Sequence, residues 1–454
     1  MATGTDVLTP EVPRWRARSA PPSAPVVRVS CGEVDGTNPY AVSAGSGTPD
    51  EVRRAGAAAG RLTRSAPAVG HDLSALGSRV ENEDTLTAYI EGVTLGRWRP
   101  PRWTNRGLVS EVVAATHDLP GAPLGVVERA VTRSRAELRA RTLATTPSNV
   151  KTPAWLARQA VTMARRAGLE SRIWTPRMLA AEGFGGLLAV GNGSSAGPRL
   201  VELAWQPPGS RGARPIVLVG KGITFDTGGV NVKPAEGMLG MKTDMSGAAI
   251  VTAVLGACAD LGVRVPVIGL LPLAENAIGG RSYRPSDVLT HYDGRTTEVR
   301  NTDAEGRVVL ADALGYAATH LAPRALVDIA TLTGAARLTF GRSVAPVFGT
   351  DDGLAHALIA AGGTTGETLW RMPLPATYRA DLSSDVADIA QAVPGGAAGS
   401  VYAALFLREF VGALPWAHLD IAGTGRSDVD AGLVTKGPTG FGTRLLLRYL
   451  EGLT

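Results

Sequence analysis

The sequence predicts a soluble α/β protein with a mostly parallel sheet covered by helices in its carboxyl-terminal part, preceded by a smaller, divergent α/β domain. Apolar strand-like runs alternate there with helical segments. The strand-like runs are 215–219, 265–271, 325–329 and 416–421, and the helical segments are 245–261, 308–320 and 401–411. Such alternation is typical of parallel sheets covered on both faces. The 454 residues leave room for two or three domains.

The chain divides into four predicted segments. Residues 1–25 are rich in Pro, Arg, Ser and Ala without any period, which predicts a disordered tail. Over 26–124, short apolar stretches alternate with Gly, Ser, Pro and Asp clusters, which indicates a small α/β domain. Residues 125–149 form a predicted arginine-rich linker helix and a turn. The main α/β domain then occupies 150–454, opening with a helix whose first position is Pro153.

Composition excludes several classes of protein. Hydrophobic residues make up 44% and charged residues 19% of the chain, so it is not wholly disordered. No apolar run approaches the roughly 18 residues of a membrane span, and the start of the chain lacks the apolar core of a signal peptide. We therefore expect a cytoplasmic protein without membrane contact. Two distant cysteines and six histidines without close pairing predict that any metal would be held by carboxylates.

Arginine greatly outnumbers lysine in this chain. The net charge is +5, but no basic run with interleaved aromatic residues occurs, so nucleic acid is not the expected partner. Only five of the 46 cations are lysine, and three of these, Lys221, Lys233 and Lys242, lie close together. Because the chain uses arginine almost everywhere else, this cluster of lysines indicates a site that needs an amine.

Acidic residues follow the predicted strand 215–219 and open the next helices. Asp226 lies after the strand, Asp244 directly precedes a helix, and the loop NTDAEGR brings Asp303 and Glu305. Either loop alone is also a plausible turn or helix cap. Four converging carboxylates would repel each other unless cations neutralised them, and two divalent metals would do so. Such a site activates water and polarises a carbonyl, as amide hydrolysis requires.

Three other polar residues have structural interpretations. Lys242 is expected at the surface, because its spacing from Asp244 points it elsewhere. His418 lies inside an apolar strand and is expected to be a core histidine with a satisfied ring. Asp312, on the helix after the acidic loop, is expected to be a structural partner rather than a metal ligand.

Three blocks resemble the leucyl aminopeptidases, the cytosol aminopeptidases of peptidase family M17. These blocks are KGITFDTGGVNVKP (221–234), MKTDMSGAA (241–249) and NTDAEGRVVLADAL (301–314). The resemblance covers about 150–450 and makes that segment the catalytic domain. It implies two divalent metal ions, Mn²⁺ or Zn²⁺ with Mg²⁺ or Co²⁺ as alternatives. Their expected ligands are Lys221, Asp226, Asp244, Asp303 and Glu305.

The resemblance also implies roles for residues that do not bind metal. Lys233 would stabilise the oxyanion, and Arg307 would hold a bicarbonate ion that acts as general base toward a metal-bridging water. Four residues would contact the peptide: Met241, Thr331, Leu332 and Gly334. Met241 and Thr331 would line the pocket of the first side chain, while Leu332 and Gly334 would offer backbone groups.

The hypothesis is a two-metal aminopeptidase that releases N-terminal residues from peptides, with apolar first residues such as leucine preferred. The family also implies a homohexamer. Two alternatives remain open: a biosynthetic amide hydrolase or ligase on the same fold, and a non-catalytic DNA-binding hexamer. The short N-terminal domain does not resemble the family's.

Overall fold

The computed structural model describes residues 12–32, 37–105, 107–109, 114–395 and 397–454. Its strands, in chain order, are β1 (Arg14–Arg16), β2 (Val26–Ser30), β3 (Ala41–Ser43), β4 (Ala68–Asp72), β5 (Arg102–Thr104), β6 (Gly107–Val109), β7 (Thr116–Asp118), β8 (Glu170–Trp174), β9 (Arg199–Trp205), β10 (Ile216–Gly220), β11 (Gly222–Asp226), β12 (Val267–Asn276), β13 (Val288–Thr290), β14 (Thr296–Glu298), β15 (Ala325–Ala330), β16 (Ala345–Gly349), β17 (Leu369–Arg371), β18 (Ile389–Ala390), β19 (Trp416–Asp420), β20 (Arg426–Ser427) and β21 (Gly437–Pro438).

The α-helices are α1 (Pro49–Leu62), α2 (Glu83–Arg97), α3 (Leu124–Thr145), α4 (Pro153–Arg166), α5 (Pro176–Glu182), α6 (Gly185–Gly191), α7 (Ala235–Met238), α8 (Ser246–Leu255), α9 (Glu305–His320), α10 (Gly334–Phe340), α11 (Asp352–Thr365), α12 (Gly399–Arg408) and α13 (Thr443–Glu451). Short 3₁₀ helices lie at Ser74–Glu81, Met241–Thr243 and Ala376–Leu382.

The N-terminal unit is built on a five-stranded parallel sheet in the order β1-β7-β4-β2-β3. Residues 14–16, expected in a tail over 1–25, form its edge strand, because Arg14 pairs with Thr116 of β7. The tail prediction is therefore wrong for these residues, and its first eleven lie outside the described residues. Helices α1 and α2 pack closely, since a Cβ on Gly92 would collide with the carbonyl oxygen of Arg53.

The main unit is a nine-stranded sheet in the order β17-β16-β19-β15-β10-β12-β9-β8, with β11 added beside β12. Its centre is parallel, while β9 runs antiparallel to β12 and β16 antiparallel to β19. Along β10, Leu218 belongs to the core beneath α3, α8 and α13, and Val219 to the core beneath α6, α9 and α12. The predicted parallel sheet with helices on both faces is thus confirmed.

Helix α3 joins the two units, packing against α2 on one side and α8 and α13 on the other. Arg444 of α13, which is 3% exposed, lies at this junction. Its guanidinium pairs with Glu137 of α3 at 2.5 Å and Glu91 of α2 at 3.3 Å. The division at 26–124, 125–149 and 150–454 stays our proposal, with α3 as the connecting element.

Two lysines donate hydrogen bonds to carbonyl groups at the carboxyl end of α3. The buried amine of Lys151 donates hydrogen bonds to the carbonyl oxygens of Ala144, at 3.0 Å, and Lys242, at 2.6 Å. Lys242 in turn donates to the carbonyl oxygen of Thr145 at 2.8 Å. Lys242 is half-buried, so its predicted surface position is wrong: a carbonyl distant in sequence provides its partner. Free carbonyls at a helix end favour such cationic donors.

Candidate active site

The candidate site lies at the carboxyl edge of the central strands. Lys221 directly follows β10, Asp226 ends β11, and Thr331 directly follows β15. Asp244 lies two residues before α8, and Glu305 is the first residue of α9. Parallel strands bring their carboxyl ends to one edge, which is where ligands bind in sheets of this kind. Residues far apart in sequence therefore meet in one place.

Three buried carboxylates form the centre of this site. One oxygen each from Asp226, Asp244 and Glu305 lies within 4.8 Å of the others. Burial, followed by the charge of Asp226, raises the pKa of Glu305. Burial also raises the pKa of Asp244, against the opposing effect of Lys221. Such crowding is unfavourable without cations, so the cluster is suited to binding them.

Lys221 supplies one cation to this cluster. Its buried Nζ lies 2.8 Å from Asp244 Oδ2 and 2.9 Å from Glu305 Oε1, and it donates to the carbonyl oxygen of Thr331 at 3.0 Å. Burial alone would lower the pKa of Lys221, but the charges of the surrounding carboxylates outweigh burial and raise it. Glu305 Oε2 is buried without a hydrogen-bond partner among the described residues, which leaves a free acceptor for a metal ion.

Lys233 supplies the second cation. Its Nζ lies 2.8 Å from Asp226 Oδ2 and also pairs with Asp303. Burial of the Asp303 carboxyl raises its pKa, with the charge of Asp226 acting in the same direction. Lys233 is 17% exposed, more than Lys221, and so stands nearer the open part of the site.

Arg307 lies apart from the lysines. Its Nη1 donates to the carbonyl oxygen of Gln391 at 2.7 Å, and its buried Nε has no hydrogen-bond partner in the described part of the chain. Burial lowers the pKa of Arg307 to about 10, against the charges of Glu305 and Asp420. Arg307 is not among the described residues that line the cavity next to the carboxylates.

That cavity has a volume of about 340 Å³. It is bordered by all four residues that the sequence assigned to substrate: Met241, Thr331, Leu332 and Gly334. Thr331 Oγ1 donates to Asp244 Oδ1 at 2.7 Å, so it also orients a carboxylate. The amide of Leu332 already donates to Asp420 at 3.1 Å, which leaves its carbonyl for a peptide.

Several known proteins are similar to this chain. The model of the catalytic domain of the cytosol aminopeptidase family matches residues 138–447. The chain belongs to the cytosol aminopeptidase family. A probable cytosol aminopeptidase of Leifsonia xyli subsp. xyli (strain CTCB07) is 43% identical over 83% of this chain and 78% of that protein. Another, from Geobacter sp. (strain M21), is 46% identical over 72% of this chain and 66% of its own length.

A solved structure shows the same fold over nearly the whole chain. The bottromycin maturation enzyme BotP in complex with Mn is 34% identical, with a TM-score of 0.85 over 94% of this chain and 99% of that chain. The family model begins only at residue 138, so the likeness to BotP also reaches the N-terminal unit. None of the helices within the described ranges combines the length and apolar composition that a membrane crossing needs.

Sequence reasoning missed several residues that shape this cytosol aminopeptidase site. Asn276, at the end of β12, donates to Asp226 Oδ1 at 2.8 Å and to the carbonyl oxygen of Thr302 at 3.1 Å. Thr302 Oγ1 donates to the carbonyl oxygen of Gly228 at 2.7 Å and accepts from the amide of Asn231. These bonds join the two acidic loops. The place of Asn276 in the sequence could have indicated this role, since it ends a strand at the same edge of the sheet as Asp226.

The other polar interpretations concern residues beside the site. Buried His418 lies 2.5 Å from Asp328, although its Nε2 has no hydrogen-bond partner among the residues described. Asp312 is fully buried, accepts from the amide of Leu187 at 2.8 Å and pairs with His291. Asp312 therefore has the structural role expected of it. His418 is a core residue as expected, but its ring is satisfied only at Nδ1 within the described part of the chain.

Proposed function

We propose that this chain is a two-metal aminopeptidase that hydrolyses the N-terminal peptide bond of peptides. The observation that carries the proposal is the group of three buried carboxylates within 4.8 Å, held between two lysines in a chain of the cytosol aminopeptidase family. We further propose a preference for apolar first residues such as leucine, because Met241 and Thr331, the residues assigned to the pocket of the first side chain, both border the cavity. We also propose a cytoplasmic location, supported by the name of the relatives, and a homohexamer, which rests on the family resemblance alone.

Five residues would hold the two divalent ions: Lys221, Asp226, Asp244, Asp303 and Glu305. The donor set fits, because it combines crowded carboxylates with a buried acceptor that has no other partner. When bound, the ions would neutralise these carboxylates, activate water and polarise the scissile carbonyl. Mn²⁺ is the first choice, since BotP is described in complex with Mn, and Zn²⁺, Mg²⁺ or Co²⁺ are alternatives.

Lys221 changes its protonation state in this proposal. Its Nζ contacts two carboxylates. To present a lone pair to a metal ion it would have to release its proton to solvent. Lysine can do so because divalent ions would replace its charge, whereas arginine keeps its proton. The presence of lysine rather than arginine at position 221 supports its assignment as a metal ligand.

Lys233 and Arg307 are the two cations of the site that are not proposed to bind metal. Lys233 pairs with Asp226 and Asp303, two of the proposed metal ligands. If these carboxylates held divalent ions, the ammonium of Lys233 would be free to donate to the scissile carbonyl oxygen as that oxygen gains charge. The unpartnered Nε–H of Arg307 supports its proposed role in holding a bicarbonate ion, which would act as general base.

The test is hydrolysis of leucine p-nitroanilide and leucyl dipeptides by the purified chain after addition of each divalent ion. Asp226→Ala and Glu305→Ala should each abolish hydrolysis and lower the metal content, because each removes one of the proposed metal ligands. Near-normal activity with full metal occupancy in either variant would overturn the assignment. Binding of DNA without any peptide hydrolysis would favour the non-catalytic alternative.

A second candidate function is favoured by the likeness to BotP over 94% of this chain. In that case the same site would trim the N-terminus of one dedicated precursor peptide, as a step in making a specialised metabolite. A high kcat/KM for one long peptide with weak hydrolysis of dipeptides would distinguish this candidate from general peptide turnover.

A further inference from the structure

The cavity of the candidate site changes character between its floor and its mouth. At the floor, the carboxylates of Asp226, Asp244 and Glu305 are no more than 5% exposed. Three arginines complete the lining: Arg337, Arg342 and Arg426. Arg342 and Arg426 are half-buried and Arg337 is exposed, so these guanidinium groups mark the mouth.

Two of the three arginines have no partner within the described ranges. Arg342 is engaged, pairing with Asp428 at 2.5 Å and donating to the carbonyl oxygen of Arg426 at 2.9 Å. For Arg337 and Arg426, no ion pair or side-chain hydrogen bond is formed by the residues that the structure describes. The four carboxylates of the cavity contact Lys221 and Lys233 or are reserved for metal ions. The mouth is therefore cationic.

The backbone at Gly240 leaves space for the side chain of Arg426. A Cβ on Gly240 would collide with Nη1 of Arg426, so glycine at this position provides the space for the guanidinium. Gly240 immediately precedes Met241, which borders the cavity. Arg426 thus packs against the segment that leads into the site.

We propose that Arg337 and Arg426 bind a carboxylate that the peptide carries beyond its scissile bond. This inference rests on the proposed function: with the N-terminal residue at the metal floor, the rest of the peptide leaves through the mouth. The carboxylate is either the side chain of an acidic second residue or the C-terminus of a dipeptide. Guanidinium groups are well suited to carboxylates, with which they form paired, charge-assisted hydrogen bonds.

The test compares substrates that share leucine as first residue, using the Mn²⁺-loaded enzyme. The amides Leu-Glu-NH₂, Leu-Gln-NH₂ and Leu-Lys-NH₂ isolate the second side chain, and free Leu-Gln adds the terminal carboxylate. We expect kcat/KM for Leu-Glu-NH₂ to exceed that for Leu-Gln-NH₂ by about fivefold or more, with Leu-Lys-NH₂ the slowest. High salt should reduce this ratio. Free Leu-Gln above its amide would identify the terminus as a second source of the carboxylate.

Variants assign the preference to the arginines. The double variant Arg337→Gln/Arg426→Gln should bring the Glu-to-Gln ratio close to one. Gly240→Ala should lower the ratio too, because it displaces the guanidinium of Arg426 while keeping its charge. Arg177→Gln, at an exposed arginine of α5 away from the cavity, is the matched control and should keep the wild-type ratio.

Two different failures can be separated. Equal kcat/KM for the Glu and Gln amides, or an unchanged ratio in the double variant, would overturn the carboxylate site and leave the proposed function standing. No hydrolysis of any leucyl substrate with any of the four metals would overturn both.

Discussion

Replacing Arg444 by methionine should strongly destabilise the junction between the two units. The side chain is 3% exposed, and it contacts Glu137 and Glu91 and donates to the carbonyl oxygen of Thr365 at 2.5 Å. Methionine keeps much of the volume but removes the charge, so buried carboxylates lose a counter-ion. Breaking a buried ion pair from one side costs about 3–5 kcal/mol. The value should fall within this range, because Glu91 keeps Arg53 at 3.4 Å as a second partner.

The assay is urea unfolding, followed by circular dichroism, of the wild type, Arg444→Met and Arg444→Lys. Lysine retains the charge without the forked geometry of the guanidinium, so Arg444→Lys should lower the free energy of unfolding less than Arg444→Met does. Adding Glu137→Gln to Arg444→Met should recover part of the loss, since it removes one uncompensated carboxylate. An Arg444→Met protein within about 1 kcal/mol of the wild type would refute the reasoning, because measured effects of that size are typical of exposed pairs.

Three further outcomes are expected. Lys221→Arg should bind one metal ion fewer per chain by elemental analysis, because guanidinium offers no lone pair; two ions per chain would contradict this. Arg307→Ala should keep both ions while kcat falls by about 10²–10⁴, and added bicarbonate should stimulate only the wild type; a variant that loses metal or responds to bicarbonate would refute the role. Burial, with a smaller effect of Arg97, lowers the pKa of His71 to about 3, so only the unfolded chain gains this proton below about pH 6.5. Stability should therefore fall as pH decreases, by about 2 kcal/mol at pH 5 from this group, whereas a pH-independent urea midpoint, or the same slope in His71→Gln, would contradict it.

Much of the main unit could be predicted because its signals are local. The predicted strand 215–219 is observed as Ile216–Gly220, and the run 416–421 as Trp416–Asp420. The preference for lysine around 221–242 also indicated the site, since residue choice responds to the chemistry at each position. These features need no knowledge of distant partners.

Other features depend on contacts that one stretch of sequence does not reveal. The strand Arg14–Arg16 is short and charged, and it exists because β7 pairs with it from about a hundred residues away. Asn276 and Thr302 are residue types common in turns, and only the folded loops show that they bind the loop of Asp226. Lys242 was misplaced for the same reason, because its carbonyl partner is 97 residues earlier.

The lysine contacts at the end of α3 make that helix a link between the N-terminal unit and the segment that carries Asp244. Its far end packs in the N-terminal unit, and its near end is tied through Lys151 to the carbonyl of Lys242, two residues before Asp244. The amine of Lys151 makes these bonds without any carboxylate among its described partners, so its orientation depends on carbonyl geometry alone. A protein engineer who exchanged the N-terminal unit for another would need to preserve the length and axis of α3. A shift of one turn there would move a proposed metal ligand without any substitution in the site.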